Sequence, residues 1–402
     1  MQLLREKAFR NLFIGRVLSI FADSIMFFSL LKWIELYSSS SNSFTWFYIA
    51  FYLPMTIFAL PIGAWLEDKT LQKVMVFSDG IRVFIIVLFL LTMSFIQVEW
   101  TYLLLMIVSL LSLFFVPASQ SILPFVVKHE KRPKANSLFQ LGFTVVRIIG
   151  QITTAALIKL GIPIPVLLMI VASCLLLSLL YIWNVKPWFR KEASETKGQW
   201  RMMEDGIRYI ATHKTLKPLF LLLAFAMLIV SSIDLVLISF LTEHLKVGVE
   251  NLSFIGTSSL IGIVIGASIT PKLYRKVDRK NLIVPSLFAI CFILGALLFV
   301  KTWWFILPLF TMQGIAVGLY QVTFVTYLQD VVAKENYTRT FSLFHMITSS
   351  TALPGIILMG LFLNKLGTLN SIIIMVSALL LLAVASCFTI PALGKGEIEI
   401  PS

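Results

Sequence analysis

Charged side chains lie inside long apolar stretches of the sequence. Asp23 is near the middle of one stretch, with Arg16 on the same helical face two turns earlier, and Asp234 has a comparable depth in a later stretch, with Ser231 one turn away. A charge at the bilayer centre costs about 2.5 to 3.5 kcal/mol, so each needs a partner, water or protonation. Asp23 is therefore either half of a fixed ion pair or a carboxylate that binds substrate or protons. Because Asp234 has a comparable depth in its own stretch, we favour the interpretation that both carboxylates line a cavity.

A polar stripe follows the fifth apolar stretch. Gln140, Thr144, Arg147 and Gln151 are separated by four, three and four residues, which places them on one helical face. Such a face either packs against another helix or lines an aqueous path. In an aqueous path, Arg147 would attract an anionic group or pair with Asp23.

Further polar side chains extend this set along the predicted substrate and proton path. His345 either titrates near pH 6.5 or is a hydrogen-bonded packing residue. The additional candidates are Gln120, Gln313, Tyr320, Gln321 and His345.

These residues must be positioned by membrane-spanning helices. The chain of 402 residues is 58% hydrophobic and only 13% charged, whereas about a quarter of the residues of soluble domains are charged. Apolar runs of about 20 residues, enough to cross a bilayer as a helix, recur throughout. Barrel strands would alternate in polarity, and these runs do not. The sequence predicts an all-α membrane protein with twelve transmembrane helices, near 10–36, 45–66, 74–96, 101–127, 136–159, 163–184, 218–242, 251–271, 282–300, 304–329, 340–363 and 370–391.

The distribution of charge predicts the topology. The net charge is +13, and most of the 33 Lys and Arg residues fall in segments that are cytoplasmic if the N-terminus is cytoplasmic. This asymmetry follows the positive-inside rule and places both termini in the cytoplasm. The excess charge therefore indicates topology and contact with anionic membrane lipid, not nucleic-acid binding. We expect a multi-pass protein of a bacterial cytoplasmic membrane.

The chain is predicted to contain two halves. One long polar segment, 186–217, separates six spans in 1–185 from six in 218–402, and Gln199–His213 has the pattern of an amphipathic helix. Ser137-Leu-Phe139 recurs 205 residues later as Ser342-Leu-Phe344, and neighbouring positions recur in the same register. Two halves of like orientation are typical of parallel-repeat transporters, whose substrate sites lie at the interface of the halves.

A second group of residues is expected to close the cytoplasmic side. The loop between spans two and three contains a glycine, acids and lysines, and span three is charged only at its expected cytoplasmic end. The predicted gate residues are Gly63, Glu67, Asp68, Lys73, Asp79, Arg82 and Arg339.

Two segments carry a family resemblance. Phe115–Pro124 (FVPASQSILP) and Ala135–Gln140 (ANSLFQ) resemble the macrolide-efflux and siderophore-exporter branch of the major facilitator superfamily. The resemblance extends to Phe9-Arg10 and to the linker residues Glu204–Tyr209. Gly150-Gln151 stands where the antiporter motif has Gly-Pro. The resemblance implies a proton-driven exporter of an amphipathic small molecule that works by alternating access as a monomer.

Other functions remain open at this point. An uptake symporter or a lipid flippase would share the fold, and a transport-dead sensor would bind without transport. The sequence shows no Walker motif and no Ser-His-Asp or His-rich grouping, so we expect neither ATP as the driver nor an enzyme. The three cysteines lie in apolar spans without metal-binding spacing, and no metal or cofactor is predicted.

Overall fold

Apolar stretches long enough to span a bilayer satisfy their backbone groups internally by forming helices. The computed structural model describes residues 3–38, 42–66, 69–93, 95, 97–127, 131–185, 208, 210–213, 216–274, 276–332 and 337–389, and every regular element in them is a helix. At some helix positions, including 63, 140, 339 and 345, only the backbone is described. Glu67, Asp68 and most of the predicted amphipathic linker helix lie outside the described residues.

In the first half of the chain, the described residues form a 3-10 turn at Leu3–Arg5 and seven α-helices, two of which share one predicted span. The fourth span is interrupted at Ile122, and a short new helix with Pro124 in its first turn begins at Leu123. The helices are α1 (Lys7–Tyr37), α2 (Ser43–Trp65), α3 (Leu71–Thr92), α4 (Trp100–Ser121), α5 (Leu123–Val126), α6 (Arg132–Lys159) and α7 (Ile164–Trp183).

Two predicted spans are interrupted among the described residues of the second half. Predicted span seven comprises two helices and a final π-helical turn, Phe240–His244, and predicted span eleven comprises two helices. The helices are α8 (Leu216–Val230), α9 (Ile233–Ser239), α10 (Asn251–Tyr274), α11 (Lys280–Ala296), α12 (Ile306–Val331), α13 (Tyr337–Ser350), α14 (Ala352–Leu366) and α15 (Thr368–Thr389).

The protein is a multi-pass α-helical membrane protein. Within the described residues, eleven helices are long and apolar enough to cross a membrane, and Ser43–Phe58 is a shorter apolar helix in α2. The prediction of an all-α membrane fold is confirmed.

The chain forms two compact units. The first unit comprises Met1–Glu195 with Gly248–Ser253, and the second comprises Thr196–Val247 with Phe254–Ser402. In the first, α1 packs on α6 and α7, and α3 packs on α4 and α7. In the second, α8 packs on α13, α14 and α15, and α11 packs on α12 and α15. The packing of α1, α3 and α7 brings charged residues of α1 and α3 together beside Ser178 of α7.

The third span differs from its prediction in a way that affects the site. Helix α3 begins at Leu71 rather than near residue 74, so Asp79 and Arg82 lie close to the midpoint of a 22-residue helix. Asp79 and Arg82 therefore lie further from the N-terminal end of α3 than the predicted span implies. Lys73 is charged and extends the helix N-terminally beyond the apolar run, which is why hydropathy alone placed the start too late.

Candidate functional site

A buried ionic cluster lies between α1, α3 and α7 of the first unit. The Arg82 side chain is fully buried and its guanidinium is paired with two carboxylates. Nη1 donates to Asp79 Oδ1 at 3.1 Å, and Nη2 is paired with Asp23 Oδ1. Nη1 also lies 3.3 Å from the hydroxyl oxygen of Ser19. One arginine on α3 thus connects the carboxylate of its own helix to that of α1.

The two carboxylates of the cluster have different access to the surface. Asp79 is fully buried, and its second oxygen accepts a hydrogen bond of 2.6 Å from Ser178 on α7. The Asp23 side chain is 33% exposed. Asp79 is therefore held by two neighbours in the core, whereas part of the Asp23 side chain is accessible at the surface.

A second buried arginine completes the cluster. Arg16 is buried, and its Nε and Nη1 atoms have no hydrogen-bond partner. Its guanidinium lies over the rings of Phe115 and Phe143, at 5.3 and 5.2 Å from their centroids. Ring faces stabilise a desolvated cation, though less completely than a carboxylate does. With Arg16, the two carboxylates and two guanidiniums sum to zero charge.

The arrangement corrects one sequence-based pairing. Asp23 was expected to pair with Arg147, but its partner is Arg82. Asp79 and Arg82 are separated by three residues in an otherwise apolar run, which places both on one helical face. That spacing is the sequence signal for two paired charges on one face of α3, and the role of Asp79 and Arg82 in a cytoplasmic gate stays a prediction.

The polar stripe of α6 is a separate feature of the first unit. Thr144 and Gln151 are half-buried and Arg147 is exposed near the middle of the helix. The side chain of Gln140 lies outside the description. Gln120, at the end of α4, is exposed. An arginine at this depth is not stable against hydrocarbon, so its exposed face requires a polar environment.

In the second unit, Asp234 follows a break in span seven. Ser231 and Ser232 donate side-chain hydrogen bonds to the carbonyls of Leu228 and Ile229, which compete with helix continuation. Helix α9 then begins at Ile233, and Asp234 is exposed in its first turn.

The break in span seven contacts the break in span eleven. The Ser231 hydroxyl lies 3.4 Å from the carbonyl oxygen of Ala352, the first residue of α14. Pro354 has no amide hydrogen for the preceding turn, which explains why α13 ends at Ser350. A Cβ on Gly355 would collide with the Leu228 carbonyl oxygen, so the two breaks pack backbone against backbone.

Glycines allow α10 and α12 to approach each other closely. A Cβ on Gly262 would collide with the Thr311 carbonyl oxygen and would lie 2.9 Å from Gly314 Cα. Beside this contact, Ser259 donates to Gln313 Oε1 at 2.9 Å, so Gln313 is buried and engaged in helix packing.

The remaining candidates of the second unit do not share one environment. Tyr320 is buried against Phe324, with ring centroids 5.5 Å apart, whereas Gln321 is exposed. The side chains of His345 and Arg339 lie outside the description. In the predicted gate, residue 63 is described only by its backbone, and residues 67–68 lie outside the described residues. Lys73 is exposed in the first turn of α3.

Two polar networks were missed by the sequence analysis. In the second unit, Arg279 Nη2 lies 2.7 Å from Asp330, whose other contact is the Tyr274 hydroxyl at 2.5 Å. In the first unit, Lys32 contacts Glu35 and Glu250 at 2.5 and 2.9 Å. Only the Lys32–Glu35 spacing was visible locally, because the other partners are far apart in sequence. Within the described residues, no group of three His, Cys, Asp or Glu could hold a metal.

Comparisons with known proteins agree with this architecture. The family model of the Major Facilitator Superfamily matches residues 12–348 and 219–398. The chain is 25% identical over 376 residues to the Bacillus subtilis (strain 168) protein "Uncharacterized MFS-type transporter YvqJ", covering 90% of this chain and 87% of that protein.

Solved structures share the fold at low sequence identity. A mutant of the nucleoside transporter NupG superposes with a TM-score of 0.79 at 13% identity, covering 96% of this chain and 100% of that one. An inward-facing bacterial homologue of the iron transporter ferroportin gives 0.74 at 14% identity, covering 97% and 99%. The chain belongs to the Major Facilitator Superfamily and is a multi-pass membrane transporter of small molecules, not an enzyme.

Proposed function

We propose that the protein is a proton-driven exporter of an amphipathic small molecule, acting as a monomer by alternating access in a bacterial cytoplasmic membrane. The proposal includes twelve spans with both termini in the cytoplasm. The observation that carries it is the pairing of a partly exposed carboxylate, Asp23, with a fully buried guanidinium, Arg82. This geometry lets a proton from water reach an ion pair that joins two helices.

The proton exchange can be written with its charges balanced. A proton binds the Asp23 carboxylate and neutralises it, which removes one anion from Arg82. Arg82 remains paired with Asp79, which also accepts a hydrogen bond from Ser178. The cluster then changes from zero charge to a charge of one positive unit, with Arg16 also inside it. A buried charge without its partner is destabilised by several kcal/mol, so protonation favours a different packing of α1 against α3.

The charged and polar groups around this cluster determine how it responds to protonation of Asp23. Arg16 lies on α1, Asp79 and Arg82 lie on α3, and Ser178 lies on α7. Arg147 lies on α6, which packs on α1, the helix that carries Arg16. An anionic substrate group near Arg147 would offset the positive charge left by protonation of Asp23, and this interaction links substrate to proton.

The substrate class is inferred from polar groups near the middle of the spans. Arg147, Thr144 and Gln151 give α6 a polar face in an otherwise apolar helix, and Asp234 and Gln321 do so in the second unit. A path with a few charges among apolar side chains suits amphipathic compounds. The resemblance of the α4–α6 region to macrolide and siderophore exporters supports export as the direction.

Transport in oriented vesicles tests the proposal. A susceptibility and export screen of a deletion strain supplies the substrate. Inverted vesicles containing the wild type should accumulate it when a pH gradient is imposed, and right-side-out vesicles should not. The reverse result would identify an uptake symporter, and binding without transport in either orientation would identify a sensor.

The Asp23→Asn variant tests the coupling residue. It should lose accumulation driven by the pH gradient while it keeps energy-independent exchange of labelled substrate, because the amide cannot carry the proton. Asp278→Asn, in the loop between α10 and α11, is the matched control and should transport as the wild type does. If Asp23→Asn transports at the wild-type rate with unchanged pH dependence, Asp23 is structural and the coupling proposal fails.

A further inference from the structure

A deep apolar groove opens on the first unit, outside the ionic cluster. It lies between α2, α3 and α4 and has a volume of about 610 Å³. That volume is in the range of sites that hold organic ligands. The lining residues are Ile62, Trp65, Lys73, Val74, Phe77, Ser78, Ile81, Leu111 and Phe114.

The groove has a charged end and an apolar end. Lys73 is its one charged lining residue among those that the structure describes, and it lies in the first turn of α3. Ile81 lies on the same face two turns further along, about 12 Å deeper at about 1.5 Å per residue. Ser78 adds no free polar group, because its hydroxyl donates to the Leu111 carbonyl at 2.6 Å.

A second lysine lies at the same end. The ammonium of Lys69 lies 5.2 Å from the centroid of the Trp65 ring, and that ring packs edge-on against Phe114, 5.5 Å away. Two cations and a tryptophan at the mouth of an apolar groove match the composition of a membrane interface. The groove opens where α2 and α4 end and α3 begins, which the charge distribution assigns to the cytoplasmic side.

We propose that this groove binds an anionic phospholipid of the inner leaflet, with its phosphate at Lys69 and Lys73 and one acyl chain along Phe77 and Ile81. The cytoplasmic leaflet carries the anionic lipids, and basic pockets between transmembrane helices on that side bind their headgroups. Phe77 is 71% exposed, which leaves the groove accessible from the bilayer. A free phosphate would leave the apolar floor unfilled, so the acyl chain is part of the ligand.

Native mass spectrometry of the full-length protein in detergent tests the site, with phosphatidylglycerol, phosphatidylethanolamine and phosphatidylcholine as probes. The wild type should retain phosphatidylglycerol in preference to the other two. Lys69→Gln with Lys73→Gln should weaken its binding by about fivefold for each lysine removed. Lys272→Gln, an exposed lysine of α10, is the matched control and should bind as the wild type does.

Two further variants separate the headgroup from the chain. Ile81→Trp should fill the deep end and reduce retention of long-chain phosphatidylglycerol, while glycerol phosphate, which has no chain, should compete poorly with the lipid in every variant. Glu67→Gln with Asp68→Asn removes acids from the loop that carries Lys69, and it should leave binding unchanged or stronger.

Three results would overturn the proposal. Equal retention of phosphatidylglycerol by the wild type and the double lysine variant would remove the headgroup site. An equal loss in Lys272→Gln would indicate a general charge effect. Loss of binding in the acid variant, with phosphatidylethanolamine preferred, would indicate recognition of a headgroup amine. None of these outcomes depends on proton coupling at Asp23.

Discussion

The two units stabilise the first span of each unit by different means. In the first unit, α1 continues unbroken over 31 residues, and charge pairs join it to α3. In the second unit, the corresponding first span is broken after Val230, and the break packs through backbone contact with α14 at Gly355. The first unit pairs one buried and one partly exposed carboxylate with a buried guanidinium, whereas the second exposes Asp234 directly after its helix break.

The difference between the units indicates that they have different functions in transport. A network of buried charges changes its packing when one proton is added, because an unpaired buried charge is strongly destabilised. A broken helix exposes backbone groups and a carboxylate to a substrate that enters the proposed transport path. We therefore expect the first unit to respond to protons and the second to contact substrate.

The largest effect is expected from Arg82→Met. This substitution leaves Asp79 and Asp23 without their shared cation and should destabilise the protein by about 3 to 5 kcal/mol. The measurement is the midpoint of thermal unfolding in detergent. Arg279→Gln, which breaks the more exposed pair with Asp330 in the second unit, should change stability by about 0 to 1 kcal/mol. Similar losses in both variants would contradict the contrast between the units.

A smaller effect is expected from Gly355→Ala. The added methyl group meets the Leu228 carbonyl, so α8 and α14 must separate, and the substitution should destabilise by about 1 to 3 kcal/mol. The control is Gly295→Ala in α11, where the nearest atom to the new Cβ, Val376 Cγ1, is 3.6 Å away. That variant should be neutral or stabilised by up to about 1 kcal/mol through helix propensity. A stable Gly355→Ala would show that the breaks are not closely packed.

The smallest effect on stability is expected from Asp234→Asn. The side chain is exposed, so the unfolding free energy should change by less than about 0.5 kcal/mol. Substrate binding, measured by equilibrium titration, should weaken by about tenfold because a charged hydrogen-bond acceptor is lost. Coupling to the pH gradient should persist. A variant that binds normally but loses coupling would reverse the roles assigned to the two units.

Much of the fold was predictable because its signal is local. Hydropathy identifies a span wherever about 20 apolar residues run together, whatever surrounds them. The predicted spans at 163–184 and 370–391 therefore coincide closely with α7 and α15. The spacings Gly262–Gly266 in α10 and Gly314–Gly318 in α12 are local features of the same kind, since residues four apart share a face and small residues there permit close helix packing. These features need no knowledge of which helix lies next to which.

The charge partners were decided by the tertiary structure alone. The sequence placed Asp23, Arg82 and Arg147 in apolar helices, but nothing local distinguishes one arginine from the other as the partner of Asp23. The packing of α1 and α3 against α7 selects Arg82 and brings Ser178 to Asp79. The groove beside Lys73 also depends on three helices at once. Helix formation is set by residues a few positions apart, whereas an ion pair or a groove is set by side chains that only packing makes neighbours.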